Sequence, residues 1–399
     1  MVVNNSKKKY IVIQLGARMH YAVPAILAKS KNLIAFYTDI HSSHFLFRLT
    51  KFFIPLRFQF KLLKNLLGRE LPIGINKRLV KDQIFSSLFF FNDVKKRSEI
   101  LFRRVKKENF LGASGIYTNF INDDIELIRK AKEMGLEVIH EVIITPTSGL
   151  TMLEEFNLYP NVETTKDTYD VVKKGMELDL IKWELSDKIL VASTFVKEKV
   201  LELGVDHKKI FLVPYGIDKN WLKYKSIPKK GKILFVGIAG LRKGVHYLAE
   251  ASRILASWGY DYEVVVAGKQ VVDTNLDLFK GLKFLGHIPR SQIIKEYLSS
   301  DIFILPTLAE GFALVHLEAM ACGLPVITTK QCGSVIEDKK EGFIIPLRNP
   351  LAMANAIINI VEHRPLRNKM SRAAKIKAKN NTWSKYSENL LKVLESKVS

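Results

Sequence analysis

Short runs rich in β-branched residues alternate with helical segments from residue 111 onward, and this alternation constrains the fold more than any other feature. Such alternation predicts parallel sheets covered by helices. The pattern is interrupted over residues 217–230, which lack periodicity and carry five lysines around Pro228, and it then restarts. We therefore expect two open α/β domains, residues 1–216 and residues 217–382, joined by an exposed linker.

The predicted strands and helices fall into two similar series. Strands are predicted in the first domain at residues 10–15, 33–37, 115–118, 137–141, 188–192 and 210–213. Strands are predicted in the second at residues 233–236, 263–267, 282–285, 302–305, 325–328 and 343–346. Helices are predicted at residues 194–203, 245–258, 292–298, 315–321 and 351–362. Ligands of open parallel sheets bind at the carboxyl ends of the strands, so two such edges facing each other predict a cleft for two substrates.

Positive charge and phenylalanine are concentrated near the start of the chain. Residues 1–110 contain 22 Lys and Arg against 6 Asp and Glu, a net +16 of the formal +22 of the whole chain. Ten phenylalanines also lie between residues 45 and 91. This mixture fits an anionic membrane surface, single-stranded nucleic acid, or a solvated face over an aromatic core. We expect a membrane surface as a partner, through residues 41–110, and do not expect nucleic acid.

The composition also bears on the compartment. No window approaches ~18 uninterrupted apolar residues, and the run Tyr10–Leu15 is too short for a signal peptide. Cys322 and Cys332 are too few for a disulfide framework or a zinc site. We therefore expect a cytoplasmic protein, peripheral on the inner face of the cell membrane.

The most informative stretch runs from residue 305 to residue 327. A predicted strand leads into the turn Glu310-Gly311-Phe312-Ala313, and a helix is expected to begin near Leu314. The glycine allows close backbone approach, and the free N–H groups of the helix start favour a ligand rich in hydroxyls or negative charge. Glu318 follows within the helix. Each carboxylate can accept paired hydroxyls, with each charge-assisted bond contributing roughly 1.5–3 kcal/mol.

This ordering resembles the glutamate-x7-glutamate signature of retaining glycosyltransferases of family 4, the glycosyl transferases group 1 type, and the resemblance is clearest over residues 180–385. It implies the GT-B fold, in which two Rossmann-like, doubly wound parallel-sheet domains face each other across a cleft. It also implies that a terminal helix, residues 383–399, packs back on the first domain. The implied activity is metal-independent, cofactor-independent hexosyl transfer from a nucleoside diphosphate sugar to a glycan or glycolipid acceptor, with retention.

The loop after the first strand of the second domain carries the expected phosphate-binding residues. Gly237 and Gly240 let the backbone approach a pyrophosphate, and Arg242 and Lys243 can neutralise it. A helix dipole disfavours cations at a helix start unless an anion is nearby, which favours this interpretation. The resemblance implies that Lys243 is the main diphosphate cation. Where the family often has an arginine, this chain has Ile238, and Arg242 can take that role.

Two further loops of the second domain resemble the edges of a nucleotide-base site. They carry Gly268 and the pair His287-Ile288. His287 is equally compatible with an ordinary surface histidine. Together with the Glu310 turn, Leu314 and Glu318, these loops make up the expected donor site.

The first domain contributes fewer candidates. The resemblance places His140 where the family has a histidine facing the donor sugar, although a satisfied strand-end histidine is the alternative. Gly16, Arg18 and Asn119 follow predicted strands and are expected on the acceptor side, and the loop after Gly16 lacks the family's second glycine. The leading hypothesis is a glycosyltransferase of cell-surface polysaccharide or glycolipid synthesis. The alternatives are a nucleotide-sugar epimerase or phosphorylase on the same fold, and a non-catalytic basic protein of the membrane surface.

Overall fold

The computed structural model describes residues 7–43, 69–72, 74–120, 124–163 and 167–396. Its first sheet has seven parallel strands in the order β3-β2-β1-β4-β5-β6-β7. The strands are β1 (Tyr10–Ile13), β2 (Leu33–Tyr37), β3 (Val80–Lys81), β4 (Gly115–Thr118), β5 (Glu137–Val142), β6 (Lys188–Val191) and β7 (Ile210–Leu212). The helices around it are α1 (Ala22–Lys29), α2 (Ile84–Phe89), α3 (Val94–Lys107), α4 (Ile125–Glu133), α5 (Ser148–Leu158), α6 (Tyr169–Leu185) and α7 (Thr194–Glu202).

The second sheet has six parallel strands in the order β10-β9-β8-β11-β12-β13. The strands are β8 (Lys232–Val236), β9 (Glu263–Ala267), β10 (Leu282–Gly286), β11 (Ile302–Leu305), β12 (Val326–Thr329) and β13 (Gly342–Ile345). The helices are α8 (Val245–Ser257), α9 (Arg290–Ser299), α10 (Leu314–Ala321), α11 (Pro350–Glu362), α12 (Arg364–Asn380) and α13 (Trp383–Glu395). The expected pair of doubly wound parallel sheets is confirmed.

The strand order of each sheet reverses at one place, between β1 and β4 in the first sheet and between β8 and β11 in the second. Neighbouring connections leave a sheet in opposite directions at such a point, so a crevice opens at the carboxyl ends of the two strands. The loops after these four strands are therefore the natural positions for ligand-binding residues.

The largest gap in the sequence predictions lies between residues 80 and 185, where β3 and helices α2 to α6 were not predicted. Helix α3 shows the reason: it buries Leu101, Phe102 and Val105 on one face while Arg103 and Lys106 remain exposed. The helical period is present, but the dense basic residues obscure it. No helix of the described residues is long and apolar enough to cross a membrane.

The linker and the terminal helix connect the two sheets. Ile217 N donates to Asn381 O at 2.9 Å, and a Cβ on Gly216 would lie 2.3 Å from the Thr382 carbonyl carbon, so the backbones touch here. From α13, Leu394 O accepts a hydrogen bond from Tyr10 Oη of β1 at 3.2 Å. The linker is less exposed than expected, because the ring of Trp221 is buried.

Candidate functional site

The Arg242–Lys243 loop and the Glu310 turn lie side by side at the reversal point of the second sheet. Backbone contacts hold them together: Leu308 N and Thr307 Oγ1 both donate to Arg242 O, each at 2.9 Å. The Arg242 guanidinium returns the contact, since Nη1 donates to Ala309 O at 2.8 Å. The two loops that the sequence predicts as parts of the donor site therefore lie in one cluster.

Glu310 is the centre of this cluster. Its Oε2 accepts from Arg242 Nη1 at 3.0 Å and makes a short ion pair with Lys243 Nζ. Burial disfavours the charged carboxylate, but the two cations outweigh burial and hold the pKa of Glu310 below its ordinary value. The carboxylate is therefore ionised at neutral pH.

Glycines allow the strand ends of the second sheet to approach each other. Gly268 has a φ of 145°, and a Cβ there would lie 1.8 Å from Gly237 O. Gly240 leaves room for the carboxylate of Glu163 from the first domain, whose Oε2 would lie 3.2 Å from a Cβ on Gly240 and accepts a hydrogen bond from Leu241 N at 2.9 Å. At both positions a side chain would collide with a neighbouring segment of the same chain, so the close packing of these segments requires glycine.

Gly311 also has a structural role, because it lies against the first domain. A Cβ on Gly311 would lie 2.1 Å from the backbone oxygen of Ile143, just beyond β5. Ser193 Oγ donates to Gly311 O at 2.8 Å, and the ring of Phe312 packs edge-to-face on Tyr215 with centroids 5.2 Å apart. The turn therefore connects the two halves of the site. Its last residue, Ala313, is also buried.

Two cavities lie on either side of this turn. The Glu310 cavity has a volume of about 660 Å³. It is lined by Leu15, Arg18, Met19, Val94, Ser98, Asn119, Phe120, Ile143, Tyr215, Glu310, Phe312 and Leu314. The Trp221 cavity has a volume of about 320 Å³. It is lined by Met19, His20, Ala22, Ala25, Ile26, Pro72, Gly216, Ile217, Asp218, Trp221, Arg290, Leu314, Glu318 and Trp383. Met19 and Leu314 line both cavities, so the two are neighbours.

The second glutamate of the predicted pair lines the Trp221 cavity. Glu318 Oε2 accepts a hydrogen bond from Tyr297 Oη at 3.1 Å. Burial raises the pKa of Glu318, and Arg290 and the Tyr297 hydroxyl offset this only in part. The two glutamates therefore differ in environment as well as in cavity: Glu310 is paired with cations, and Glu318 is largely desolvated.

The first domain contributes Arg18 and Asn119 to the Glu310 cavity, and both are held by Glu141 of β5. Glu141 Oε2 accepts from Asn119 Nδ2 at 3.3 Å, from Arg18 Nε at 3.4 Å and from Tyr117 Oη at 2.8 Å. The Tyr215 hydroxyl makes a short hydrogen bond to the other carboxylate oxygen. Burial opposes ionisation of Glu141, but Arg18 and the two tyrosine hydroxyls lower its pKa.

The structure corrects the expectation for His140. Its side chain is buried and lines neither cavity, whereas the adjacent Glu141 supports the cavity wall. Successive side chains of a strand point to opposite faces of the sheet, so His140 and Glu141 lie on opposite faces of β5. Burial lowers the pKa of His140, and Lys182 lowers it further, so the ring is neutral. Alternation along β5 was the signal that could have identified Glu141.

The loop after β1 has a strained backbone. Gly16 has a φ of 66°, and its amide donates to Asp39 Oδ1 at 2.8 Å. Met19, His20 and Tyr21 follow with φ values of 47°, 51° and 60°. This left-handed conformation costs a non-glycine residue about 1 kcal/mol or more. Where the family's second glycine is absent, this loop has three strained residues, of which Met19 lines both cavities and His20 lines the Trp221 cavity.

The remaining predicted residues lie at the edge of the second sheet. His287 is exposed and Ile288 is half-buried, and neither lines the two cavities. Gly268 N donates to Gly286 O at 2.9 Å, which places this loop beside β9. Among the residues the structure describes, no group of three or more His, Cys, Asp or Glu could hold a metal ion.

Comparison with known structures agrees with this architecture. The Anabaena protein Alr3699/HepE, crystallised with UDP and glucose, aligns with a TM-score of 0.63 at 16% identity, over 98% of this chain and 100% of that one. Sucrose-phosphate synthase from Thermosynechococcus elongatus aligns with a TM-score of 0.64 at 14% identity, over 97% of this chain and 98% of that one. Two parallel-sheet Rossmann-like domains with their loops facing a common cleft define the GT-B class, and this chain has that fold.

The sequence matches are confined to a part of the chain. Residues 218–377 match the family model described as glycosyl transferases group 1. The capsular polysaccharide biosynthesis glycosyltransferase CapM of Staphylococcus aureus is 28% identical over 200 residues, 47% of this chain and 52% of CapM. Spore coat protein SA of Bacillus subtilis is 34% identical over 181 residues, 41% of this chain and 48% of that protein. The chain matches about half the length of these relatives. The resemblance is confirmed to this extent: the chain has the GT-B fold, and its residues 218–377 are similar to the glycosyl transferases group 1 family.

Proposed function

We propose that the protein is a retaining glycosyltransferase that moves a sugar from a nucleoside diphosphate donor to an acceptor hydroxyl, in the synthesis of cell-surface polysaccharide or glycolipid. One observation carries the proposal. Arg242 and Lys243 converge on Glu310 at the reversal point of one sheet, and the Glu310 cavity extends from there to Arg18 and Asn119 at the reversal point of the other. The names of relatives such as CapM support the same activity.

The proposed chemistry divides the work between the two sides. The bond between the anomeric carbon and the diphosphate oxygen breaks, and its electron pair leaves with the diphosphate, whose charge Lys243 and Arg242 stabilise. The acceptor oxygen bonds to the anomeric carbon on the face that the leaving group vacates, and its proton passes to the leaving phosphate. Glu310 and Glu318 accept hydrogen bonds from hydroxyl groups of the sugar and the ribose. No side chain serves as general base, and no metal is part of the scheme.

Thermal denaturation with a panel of uridine, guanosine, adenosine and thymidine diphosphate sugars tests the proposal. A ligand that binds the folded state raises the melting temperature as it saturates the site. We expect one base to be favoured, transfer from that donor to survive a metal chelator, and the product to keep the anomeric configuration. Failure of every donor to shift the melting temperature would contradict the proposal. The epimerase or phosphorylase alternative is not favoured, and isomerised or phosphate-dependent products would revive it.

We also propose that the basic first domain contacts an anionic membrane surface. Helix α2 exposes Phe85 at 74% and Phe89 at 83%, and the basic helix α3 follows it. Aromatic rings can enter the headgroup region while lysine and arginine bind anionic lipids. The phenylalanines between residues 45 and 60, which also prompted the proposal, lie outside the described residues.

Co-sedimentation with anionic vesicles tests this association. Binding at low salt should weaken at high salt, and should fall in the double variant Phe85→Ser/Phe89→Ser. The matched control is Leu351→Ser, since Leu351 is 51% exposed at the start of α11 in the second domain, away from the basic first domain. Absence of binding at low salt would refute the membrane proposal and leave the enzyme proposal intact.

A further inference from the structure

The carboxylate of Glu310 forms ion pairs with the same two cations that, in the proposed function, bind the donor diphosphate. Its Oε2 takes both Arg242 and Lys243, and its Oε1 accepts only a 3.3 Å contact from the amide of Gly311 among the described residues. The side chain is 15% exposed, so this ion pair is shielded from bulk water. Glu310 cannot bind a sugar hydroxyl through Oε2 while it holds both cations.

Lys243 has no competing anion close by in the described part of the chain. The side chains that share its surroundings are His316 and Cys332. Burial, aided by Lys243, lowers the pKa of His316 to about 3, and burial raises the pKa of Cys332 to about 12. Both are uncharged at neutral pH, so the Lys243 ammonium has Glu310 as its counter-ion.

The Arg242 guanidinium and the backbone of its loop are also held by contacts that do not involve Glu310. Arg242 Nη1 also donates to Ala309 O at 2.8 Å. The backbone of the loop is held separately, because Lys243 N donates to Gly240 O at 3.1 Å and Leu308 N donates to Arg242 O at 2.9 Å. If the Glu310 side chain rotates away, the Arg242 guanidinium therefore keeps a hydrogen bond to Ala309 O, and the Lys243 ammonium is left on a fixed backbone without its counter-ion.

We infer that Glu310 is an exchangeable counter-ion: it neutralises Arg242 and Lys243 in the donor-free protein, is displaced from them by the diphosphate, and is thereby freed to accept hydroxyls of the sugar. This inference rests on the proposed function and deepens it. Hydrogen bonding of a sugar hydroxyl to Oε2 then becomes available only after the diphosphate is in place, because that oxygen otherwise holds both cations.

The inference makes an unusual prediction for a residue of the donor site. The change Glu310→Gln removes the internal competitor, so a nucleoside diphosphate without sugar should bind about tenfold more tightly than it binds the wild type. Transfer should nevertheless be lost, since the amide replaces the carboxylate that accepts the sugar. The measurement is calorimetric titration with the nucleoside diphosphate of the preferred base and, separately, with inorganic pyrophosphate.

Two controls assign the gain to the ion pair. Glu337→Gln removes a carboxylate that also pairs with two cations, Lys340 and Lys377, without touching Arg242 or Lys243, and should not tighten diphosphate binding. In the double variant Glu310→Gln/Lys243→Ala the gain should disappear. Glu310→Ala provides a second test should the glutamine variant fold poorly, with circular dichroism as the check on folding.

The outcomes separate the inference from the proposed function. If the wild type binds no nucleoside diphosphate, the proposed function fails and the inference fails with it. If the wild type binds one, and both Glu310 variants bind it equally or more weakly, the counter-ion role is overturned while the proposed function stands. Tighter binding by Glu337→Gln as well would overturn it too, because general charge would then explain the gain.

Discussion

The donor side and the acceptor side of the site are built in different ways. Arg242, Lys243 and Glu310 come from two loops, after β8 and β11, that are adjacent in one sheet. The acceptor side takes Arg18, Asn119, Glu141 and Tyr215 from four separate segments, which meet through the buried Glu141 carboxylate. The donor side is therefore recognisable as a local motif, whereas the acceptor side exists only once the chain has folded.

The largest effect should come from the donor side. Lys243→Ala removes a cation that the leaving diphosphate needs, so we expect kcat to fall by about 10²–10³-fold. The matched control is Lys280→Ala, whose side chain is 79% exposed and pairs only with Asp277 of its own turn. Initial-rate kinetics with saturating acceptor measure the change. A rate within threefold of the control would show that the diphosphate charge is met by other groups.

A change at the junction of the two sides should have the next largest effect. Gly311→Ala places a methyl group 2.1 Å from Ile143 O, and neither backbone can yield without moving the turn or the first domain. A displacement of about 1 Å in a reacting pair can cost about 100-fold in rate. We therefore expect kcat to fall about 100-fold while the donor dissociation constant, measured by calorimetry, changes little. Loss of donor binding with equal severity would assign Gly311 to the donor side alone.

The donor side could be predicted from the sequence better than the acceptor side. The strand ends, the neighbouring positions of Lys243 and Glu310, and the fold itself were predictable, because strand–loop–helix order fixes which loops share a sheet edge. The contact of Gly311 with Ile143 was not, since it depends on how one domain lies on the other. His140 was chosen over Glu141 because the choice required knowing which face of β5 supports the cavity. Tyr215 gave no signal in the sequence, as its hydroxyl reaches Glu141 across 74 residues.

Glu141 offers a way to test whether the acceptor side is an assembled unit. In Glu141→Gln the single amide oxygen can accept from only one of Tyr117 and Tyr215, the NH2 group faces the other hydroxyl as a donor, and Arg18 loses its anionic partner. We expect the KM for acceptor to rise about tenfold and the unfolding free energy to fall by about 1–3 kcal/mol. Donor affinity should not change.

Because Glu141 touches no proposed substrate, its effect must pass through the cavity residues that it holds, and among these Arg18 is the one that loses its charge partner. The double variant Arg18→Ala/Glu141→Gln should therefore raise the acceptor KM no further than Arg18→Ala alone. Additive effects would mean that Glu141 supports the fold of β5 and does not position Arg18.

The smallest effect is expected in the pH dependence of the unfolding free energy, where the two glutamates of the proposed donor site should differ. The folded pKa of Glu310 is lowered, so its stabilising contribution is present above the unfolded pKa and is lost as the pH falls through the folded value. The folded pKa of Glu318 is raised, so its contribution is present below the unfolded pKa and is lost as the pH rises through the folded value.

Urea unfolding of the wild type, Glu310→Gln and Glu318→Gln, from about pH 3 to pH 7, measures both contributions against an unfolded glutamate pKa of about 4.3. Relative to Glu310→Gln, the wild type should gain stability as the pH rises. Relative to Glu318→Gln, it should lose stability over the same range. Slopes of the same sign would mean that Glu318 is ion-paired in solution like Glu310. The two carboxylates would then share one environment, and the distinction between a paired, exchangeable glutamate and a desolvated one would not hold.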